Sequence, residues 1–147
     1  MVKICTSPQL VKLLGEESSS YPEDTIPFHK SFPHEYIPDE IKETDRFINF
    51  EIRADLDLRN NVLKDLTVWF FVVCHQYVVP YIENGRSFLW YDCVVCELDN
   101  LFTDKNFFGI GNMSLITNAP YYPHQKFKGR QLTFKLKDFT NGLKYGK

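Results

Sequence analysis

The chain has 147 residues, 44% of them hydrophobic and 16% aromatic, with a formal net charge of −2. This composition excludes an intrinsically disordered chain and fits a single domain, residues 1–147, with a core of its own. The charge is uneven, because residues 120–147 carry seven Lys/Arg and one acid (+6) while residues 1–119 carry ten and eighteen (−8), a polarity that favours contact with a complementary surface.

The first predicted element is a short helix over residues 8–14. Ser7 can accept a hydrogen bond from a free helix amide, and Pro8 suits the first helical position because it has no N–H to leave unpaired. Leucines at positions 10, 13 and 14 form an apolar stripe, and Gly15 is placed to end the helix. So short a helix needs packing against the rest of the domain to persist.

Residues 17–45 follow as a Pro-rich segment, a name kept below. Its four prolines exclude regular structure over most of its length and leave room for one helical turn at residues 39–44. Aromatic residues run through the segment, which a flexible linker does not need. We therefore expect an extended segment lying on the domain or on a neighbouring subunit, with Phe28, Phe32 and Tyr36 as contacts with a subunit or partner.

A hairpin over residues 48–75 gives the strongest periodic signal. Between Ile48 and Leu58, apolar residues alternate with polar and charged ones, which is typical of a half-buried strand. Residues 59–61 (Arg-Asn-Asn) have the chemistry of a turn. The run Leu66–His75 is apolar on both faces. It predicts a central strand covered on both sides, or covered on one side and buried in an interface on the other.

Ser87 is placed to cap an amphipathic helix over residues 88–102. Two further strands are expected, one at residues 113–117 and one at residues 132–137, followed by a flexible tail at residues 139–147. Together the elements predict an α+β fold. Its mainly antiparallel sheet has about four to five strands, with the amphipathic helix packed on one face and the short helix at the N terminus.

The cysteines are the first candidates for chemistry. Cys93 and Cys96 lie one turn apart on the predicted helix, and Cys74-His75 ends the neighbouring strand. The four residues have the side chains of a zinc site, and Cys93 and Cys96 have the spacing of a redox pair. Zinc pairs usually lie on Gly-containing turns and redox pairs at helix N termini, whereas this pair lies in mid-helix. We interpret Cys93 and Cys96 as small residues at a packed contact with a subunit or partner, with the metal and redox roles as alternatives.

A cluster of acids on the hairpin is the second candidate. Glu51, Asp55 and Asp57 share one face of the predicted strand, as in a metal-dependent nuclease. Arg53 interrupts them, however, and the sequence lacks the Glu-x-Lys pattern on an adjacent strand that such nucleases use. A solvated or subunit-facing surface is the preferred interpretation, and we expect no catalytic residue, no metal and no cofactor.

Three basic residues near the C terminus, Lys126, Lys128 and Arg130, lie among aromatic side chains. We expect them to contact a subunit, a partner or a nucleic-acid backbone. No apolar stretch reaches the roughly 18 residues that span a membrane, and residues 1–6 carry no apolar run of signal-peptide length. We therefore expect synthesis in a cytoplasm, free thiols and no membrane partner.

The order of these elements resembles that of bacteriophage tail-terminator (tail-completion, head–tail joining) proteins of long-tailed phages. In those proteins an N-terminal helix precedes a meandering sheet, an amphipathic helix packed on it and a closing strand pair. The similarity covers most of residues 5–139. Its motifs are Tyr36-Ile37-Pro38 before Phe47–Ile52, the strand ending Cys74-His75, the helix ending at residues 97–102, Gly109-Ile110-Gly111 and residues 129–134.

The resemblance implies a structural virion protein of the tail or neck, made in the host cytoplasm and without an active site. Its copies would form a hexameric ring that caps the tail tube and joins it to the head-completion (stopper) protein below the portal. DNA would only pass through the channel. A channel that passes DNA is expected to be lined by acidic or neutral residues, because a basic wall would hold the DNA. Glu51, Asp55 and Asp57 are the candidates for that lining.

Two alternatives stay open. A small phage enzyme of the metal-dependent nuclease type would be stabilised against heat by Mg²⁺, Mn²⁺ or Zn²⁺. A host-directed binding or adaptor protein would bind one partner protein and need not assemble with itself, so light scattering separates it from a ring.

Overall fold

A computed structural model describes residues 1–56, 63–106 and 110–139 of the chain. It confirms the expected α+β fold: a four-stranded antiparallel sheet, a small two-stranded sheet and a few short helices. The helices are α1 (Val2–Cys5), α2 (Pro8–Leu13), α3 (Pro22–Thr25) and α4 (Trp90–Phe102), and the strands are β1 (Arg46–Leu56), β2 (Leu63–His75), β3 (Pro80–Glu83), β4 (Arg86–Leu89), β5 (Ile110–Tyr121) and β6 (Phe127–Phe139).

The predicted hairpin is confirmed as β1 and β2. They pair antiparallel in a register without shifts, with Ile48 opposite Val72 and Phe50 opposite Phe70. The alternation of side chains therefore places one set of residues on each face of the sheet. The expected turn at residues 59–61 lies outside the described residues.

The C-terminal strand β6 lies inside the sheet, whose strand order is β1-β2-β6-β5. It pairs with β2 on one side and with β5 on the other. The backbone of this strand is therefore paired on both sides within its own chain, and only its side chains can contact another subunit. β6 continues to Phe139, one residue into the expected tail, and residues 140–147 lie outside the described part of the chain.

The inner face of the sheet, defined as the face that carries Val68, Phe70 and Val72, is covered by α4 and by the N-terminal helices. Ser7 caps α2 as expected, its Oγ accepting a hydrogen bond from the backbone N–H of Leu10 at 3.4 Å. Trp90 connects α4 with α2, because its indole N–H donates to the carbonyl oxygen of Leu13 at 2.6 Å. The whole Trp90 side chain is buried.

The expected start of the amphipathic helix is wrong. Ser87 lies in β4, and α4 begins at Trp90 without a side-chain cap. Residues 80–89 form the small β3–β4 hairpin instead. Asn84 and Gly85 both have positive φ, +51° and +74°, which suits the tight turn between the two strands.

The outer face of the sheet, defined as the face that carries Phe47, Phe71, Val73 and Phe127, has a second and smaller core. The chain's own Pro-rich segment covers it, with Phe32 buried and Tyr36, Ile37 and Ile41 half-buried against these residues. The single helical turn in the segment is α3, and none forms at residues 39–44. The second cover of β2 is thus in part intramolecular, and of the two places left open for the Pro-rich segment, the domain or a neighbouring subunit, the segment lies on the domain.

Candidate interaction surfaces

The Pro-rich segment is attached to β1 through its backbone. Lys30 and Phe32 accept hydrogen bonds through their carbonyl oxygens from the N–H groups of Ile48 and Phe50, each at 2.9 Å. The Ser31 hydroxyl, fully buried, donates to the carbonyl oxygen of Ile48 at 2.6 Å. These bonds close the first half of the β1 edge, which would otherwise leave unpaired backbone groups.

The three aromatic contact candidates in this segment have different environments. Phe32 has an exposure of 9%, and its ring stacks on Tyr36 with the centroids 3.8 Å apart. Both rings also meet Phe47 edge to face. Phe28 is 64% exposed on a turn where its φ is +60°. Phe32 is therefore a core residue of its own chain, a correction to the expected role, and Phe28 keeps a free surface.

The outer face near the hairpin tip is exposed, charged and electrically balanced. Glu51, Asp55 and Asp65 supply three acids on this surface, and Arg53, Lys135 and Lys137 supply three bases. Arg53 Nε lies 2.9 Å from a carboxylate oxygen of Asp55, and Lys137 Nζ lies 3.2 Å from Asp65.

This balance changes the expectation for the acidic cluster. Glu51 accepts a hydrogen bond from the backbone N–H of Glu35 at 3.1 Å, so the Pro-rich segment reaches it. Asp55 is paired with Arg53. Asp57 lies outside the described residues. Among the described residues, the surface that carries Glu51 and Asp55 therefore has as many bases as acids.

The cysteine pair lies on the polar side of α4. Cys93 is half-buried, and burial raises the pKa of its thiol, while Cys96 is exposed. Both line an open groove between α4 and the β3–β4 hairpin, together with the apolar side chains of Phe88 and Leu89. In the described part of the chain, no group of three His, Cys, Asp or Glu side chains is arranged to hold a metal ion.

Two of the three basic candidates contact their own chain through their side chains. Arg130 Nε is 3.1 Å from a carboxylate oxygen of Asp92 on α4. Lys128 Nζ donates to the carbonyl oxygen of Gln125 at 3.1 Å and lies 5.3 Å from the centroid of the Tyr122 ring. The side chain of Lys126 is exposed. Within the described residues no helix is long and apolar enough to cross a membrane.

A surface that the sequence analysis missed is the second half of the β1 edge. Ile52 and Leu56 are 56% and 62% exposed, although they alternate with charged residues as the apolar face of a half-buried strand does. α4 and the N-terminal helices cover only the other end of the inner face. The pattern of residues 46–56 predicts the strand but carries no information about where its cover ends.

A protein-family model described as YomW, of a phage-derived family, matches residues 7–136. These residues include α2, α4 and most of the four-stranded sheet. No match was found among curated proteins or among solved structures.

Proposed function

This chain belongs to the YomW family, and from that premise we propose that it is a structural virion protein, a tail terminator whose copies form a ring. The ring caps the tail tube and contacts the tail-tube protein on one side and the head-completion (stopper) protein on the other. The chain is made in the host cytoplasm, resides in the neck of the virion and contacts DNA only as DNA passes through the channel.

The observation that carries the proposal is the direction of the two edge strands. Pairing is antiparallel at every step of the order β1-β2-β6-β5, so β1 and β5 run in opposite directions. When copies are arranged around an axis, β5 of one copy therefore runs antiparallel to β1 of the next. The Pro-rich segment occupies the first half of the β1 edge, and residues 104 and 105 bond Met113 on the β5 edge. Along the rest of these edges the sheet can continue from copy to copy, and a head-to-tail contact of this kind closes into a ring when the rotation fits.

The outer face supplies a suitable channel wall. The described residues of its exposed half carry acids and bases in equal number, with Arg53 paired to Asp55 and Lys137 paired to Asp65. Phosphates are held by unpaired Lys and Arg side chains, which exchange for the counterions of DNA. A wall whose described residues carry as many acids as bases, with two ion pairs among them, lets DNA pass without a strong hold. Such a wall agrees with the expectation of an acidic or neutral lining.

The test is the phenotype of the phage that encodes the chain when the gene carries an early stop codon. A tail terminator predicts filled heads and separate tails, with tubes that exceed the normal length, and normal virions after complementation. Electron microscopy of the lysate measures all three. Normal virions that lack the chain would contradict the proposal and favour a host-directed adaptor.

A metal-dependent enzyme is tested separately by thermal unfolding. We expect the melting temperature of the purified chain to be the same with Mg²⁺, Mn²⁺ or Zn²⁺ as with a chelator. A rise with one of these ions, together with normal tails in the stop-codon phage, would favour the enzyme.

A further inference from the structure

The outer edge of β1 is closed over its first half and open over its second. Ile48 and Phe50 point their backbone groups away from β2, since their N–H groups bond the Pro-rich segment. The register with β2 has no shift between these residues and Leu56. Strand alternation therefore directs the backbone groups of Ile52, Ala54 and Leu56 to the same outer edge.

Beyond Phe50, no other part of the described chain pairs with this edge through its backbone. The side chains of Ile52, Ala54 and Leu56 are exposed on the inner face. An open edge with exposed apolar residues is a template for another strand. The sequence of the edge indicates which strand fits it.

Residues 52–56 are complementary to a second copy of themselves in antiparallel orientation. A two-fold axis at Ala54 places Ile52 opposite Leu56 of the second copy and Arg53 opposite Asp55 of the second copy. By symmetry, Leu56 and Asp55 of the first copy lie opposite Ile52 and Arg53 of the second copy. Each apolar residue is thus opposite an apolar residue, and each base is opposite an acid. Cross-strand pairs of both kinds stabilise a sheet.

The neighbouring registers lack this complementarity. An axis at Arg53 places Arg53 opposite itself and Glu51 opposite Asp55. An axis at Asp55 places two Asp55 carboxylates opposite each other. Like charges in directly opposite positions destabilise a strand pair. Within residues 52–56, only the axis at Ala54 avoids them while leaving the bonds between β1 and the Pro-rich segment intact. The pairing is limited to these residues, because the next position would place Glu51 opposite Asp57.

We propose that two copies of this chain pair through residues 52–56 of β1 and join their four-stranded sheets into one. The charged groups lie on the outer face, where Arg53 already bonds Asp55 within its own chain. The paired copies therefore carry four alternating charges across the axis. Ala54 lies at the axis on the inner face, where its methyl group leaves room for the same residue of the second copy.

This pairing does not depend on the role in the tail. It uses the edge that a ring of copies would also use, so one copy cannot engage in both contacts at once. Paired copies must separate before a ring closes, which would restrict ring formation to the end of a tail where many copies gather. The pairing is therefore tested on the purified protein, and the role in the tail is tested on the virion.

The first test exchanges the charges. Arg53→Asp and Asp55→Arg each place like charges opposite one another at both ends of the contact, and the double variant restores the opposite pairs. Sedimentation equilibrium over a concentration series at low salt measures the dimer dissociation constant. We expect a dimer for the natural chain, a loss of affinity of about tenfold or more in each single variant, and recovery to within about threefold in the double variant.

The second test removes the backbone bonds at the axis. Ala54→Pro deletes an N–H that has no backbone partner among the described residues, and proline is tolerated on edge strands, so the circular dichroism spectrum should be unchanged. The variant should be a monomer. The matched control Ala54→Val keeps the N–H and should remain a dimer.

Two outcomes would overturn the proposal. One is a natural chain that is monomeric up to the millimolar range, and the other is a dimer that Ala54→Pro does not affect. Either outcome leaves the stop-codon phenotype of the phage as an independent result. A dimer that behaves as expected, combined with normal tails in that phage, would instead contradict only the role as a tail terminator.

Discussion

Replacing Phe32 with alanine tests whether the Pro-rich segment is part of the fold. Phe32 is 9% exposed, stacks on Tyr36 and meets Phe47 edge to face. Its carbonyl oxygen also accepts the hydrogen bond from the N–H of Phe50. The substitution leaves the backbone bond in place and removes the ring alone. Its effect therefore measures how strongly the outer face is held by its own chain.

The size of the effect follows from the burial. Removing a buried phenylalanine ring costs about 3 to 5 kcal/mol, including the cavity that is left. The value for Phe32 belongs at the lower end, about 3 kcal/mol, because its cluster is small and lies near the surface. For a chain of this length such a loss lowers the melting temperature by roughly 9 °C. Urea unfolding followed by circular dichroism measures the free energy of unfolding.

Phe28→Ala is the matched control. The two residues lie in the same segment, but Phe28 is 64% exposed, so its replacement should change the free energy of unfolding by less than about 0.5 kcal/mol. Equal effects of the two substitutions would refute the assignment of Phe32 to the core. The Pro-rich segment would then be available to a neighbouring subunit, as the sequence alone suggested.

Three further substitutions or reactions probe the interior. Gly129→Ala should destabilise the chain by about 3 kcal/mol in urea unfolding, because the carbonyl group of Val72 on the neighbouring strand occupies the space of the added methyl group; an effect within error would contradict the close approach. Burial raises the pKa of Cys74 to about 12, so this thiol stays protonated at neutral pH. Mass spectrometry after alkylation of the native chain should find exposed Cys96 modified first and Cys74 only after unfolding, and equal rates would contradict this order. Trp90→Phe should cost about 2 to 3 kcal/mol, because the carbonyl oxygen at the end of α2 loses its buried donor, and a loss below about 1 kcal/mol would show that the bond contributes little.

The hairpin was predictable because its signal is local. Apolar and polar residues alternate strictly over residues 48–56, and the apolar run of β2 predicts a strand that is covered on both faces. The cap at Ser7 was predictable for the same reason, since capping depends on residues that are close in sequence. The start of α4 was not predictable, because Ser87 has the chemistry of a cap but lies in β4.

The signal that could have located the β3–β4 hairpin is Asn84-Gly85. This dipeptide is among the most favourable ones for a two-residue turn, and apolar residues lie on both sides of it, Ile82 before and Phe88 after. It outweighs a single serine as evidence. The helix therefore starts two residues later than the cap suggested.

The cover of the outer face could not be derived from the sequence. The aromatic residues of the Pro-rich segment show that it needs a partner, but a chain's own sheet and a neighbouring subunit offer the same kind of apolar surface. The choice depends on contacts such as Phe32 with Phe47, and on hydrogen bonds of the Ser31 hydroxyl with β1. The balance of charge on the outer face depends likewise on which strands become neighbours. The pairing of Asp65 with Lys137 follows from the central position of β6, which the order of elements does not reveal.

The most direct test of the proposed role is a cryo-electron microscopy reconstruction of the neck in virions of the phage that encodes this chain. If the chain is a tail terminator, the reconstruction will show one ring of this chain between the tail tube and the head-completion protein. In that ring β5 of each copy runs beside β1 of the next, and the outer face lines the channel. A neck in which no density fits the chain, in virions whose proteins do not include it, would contradict the account.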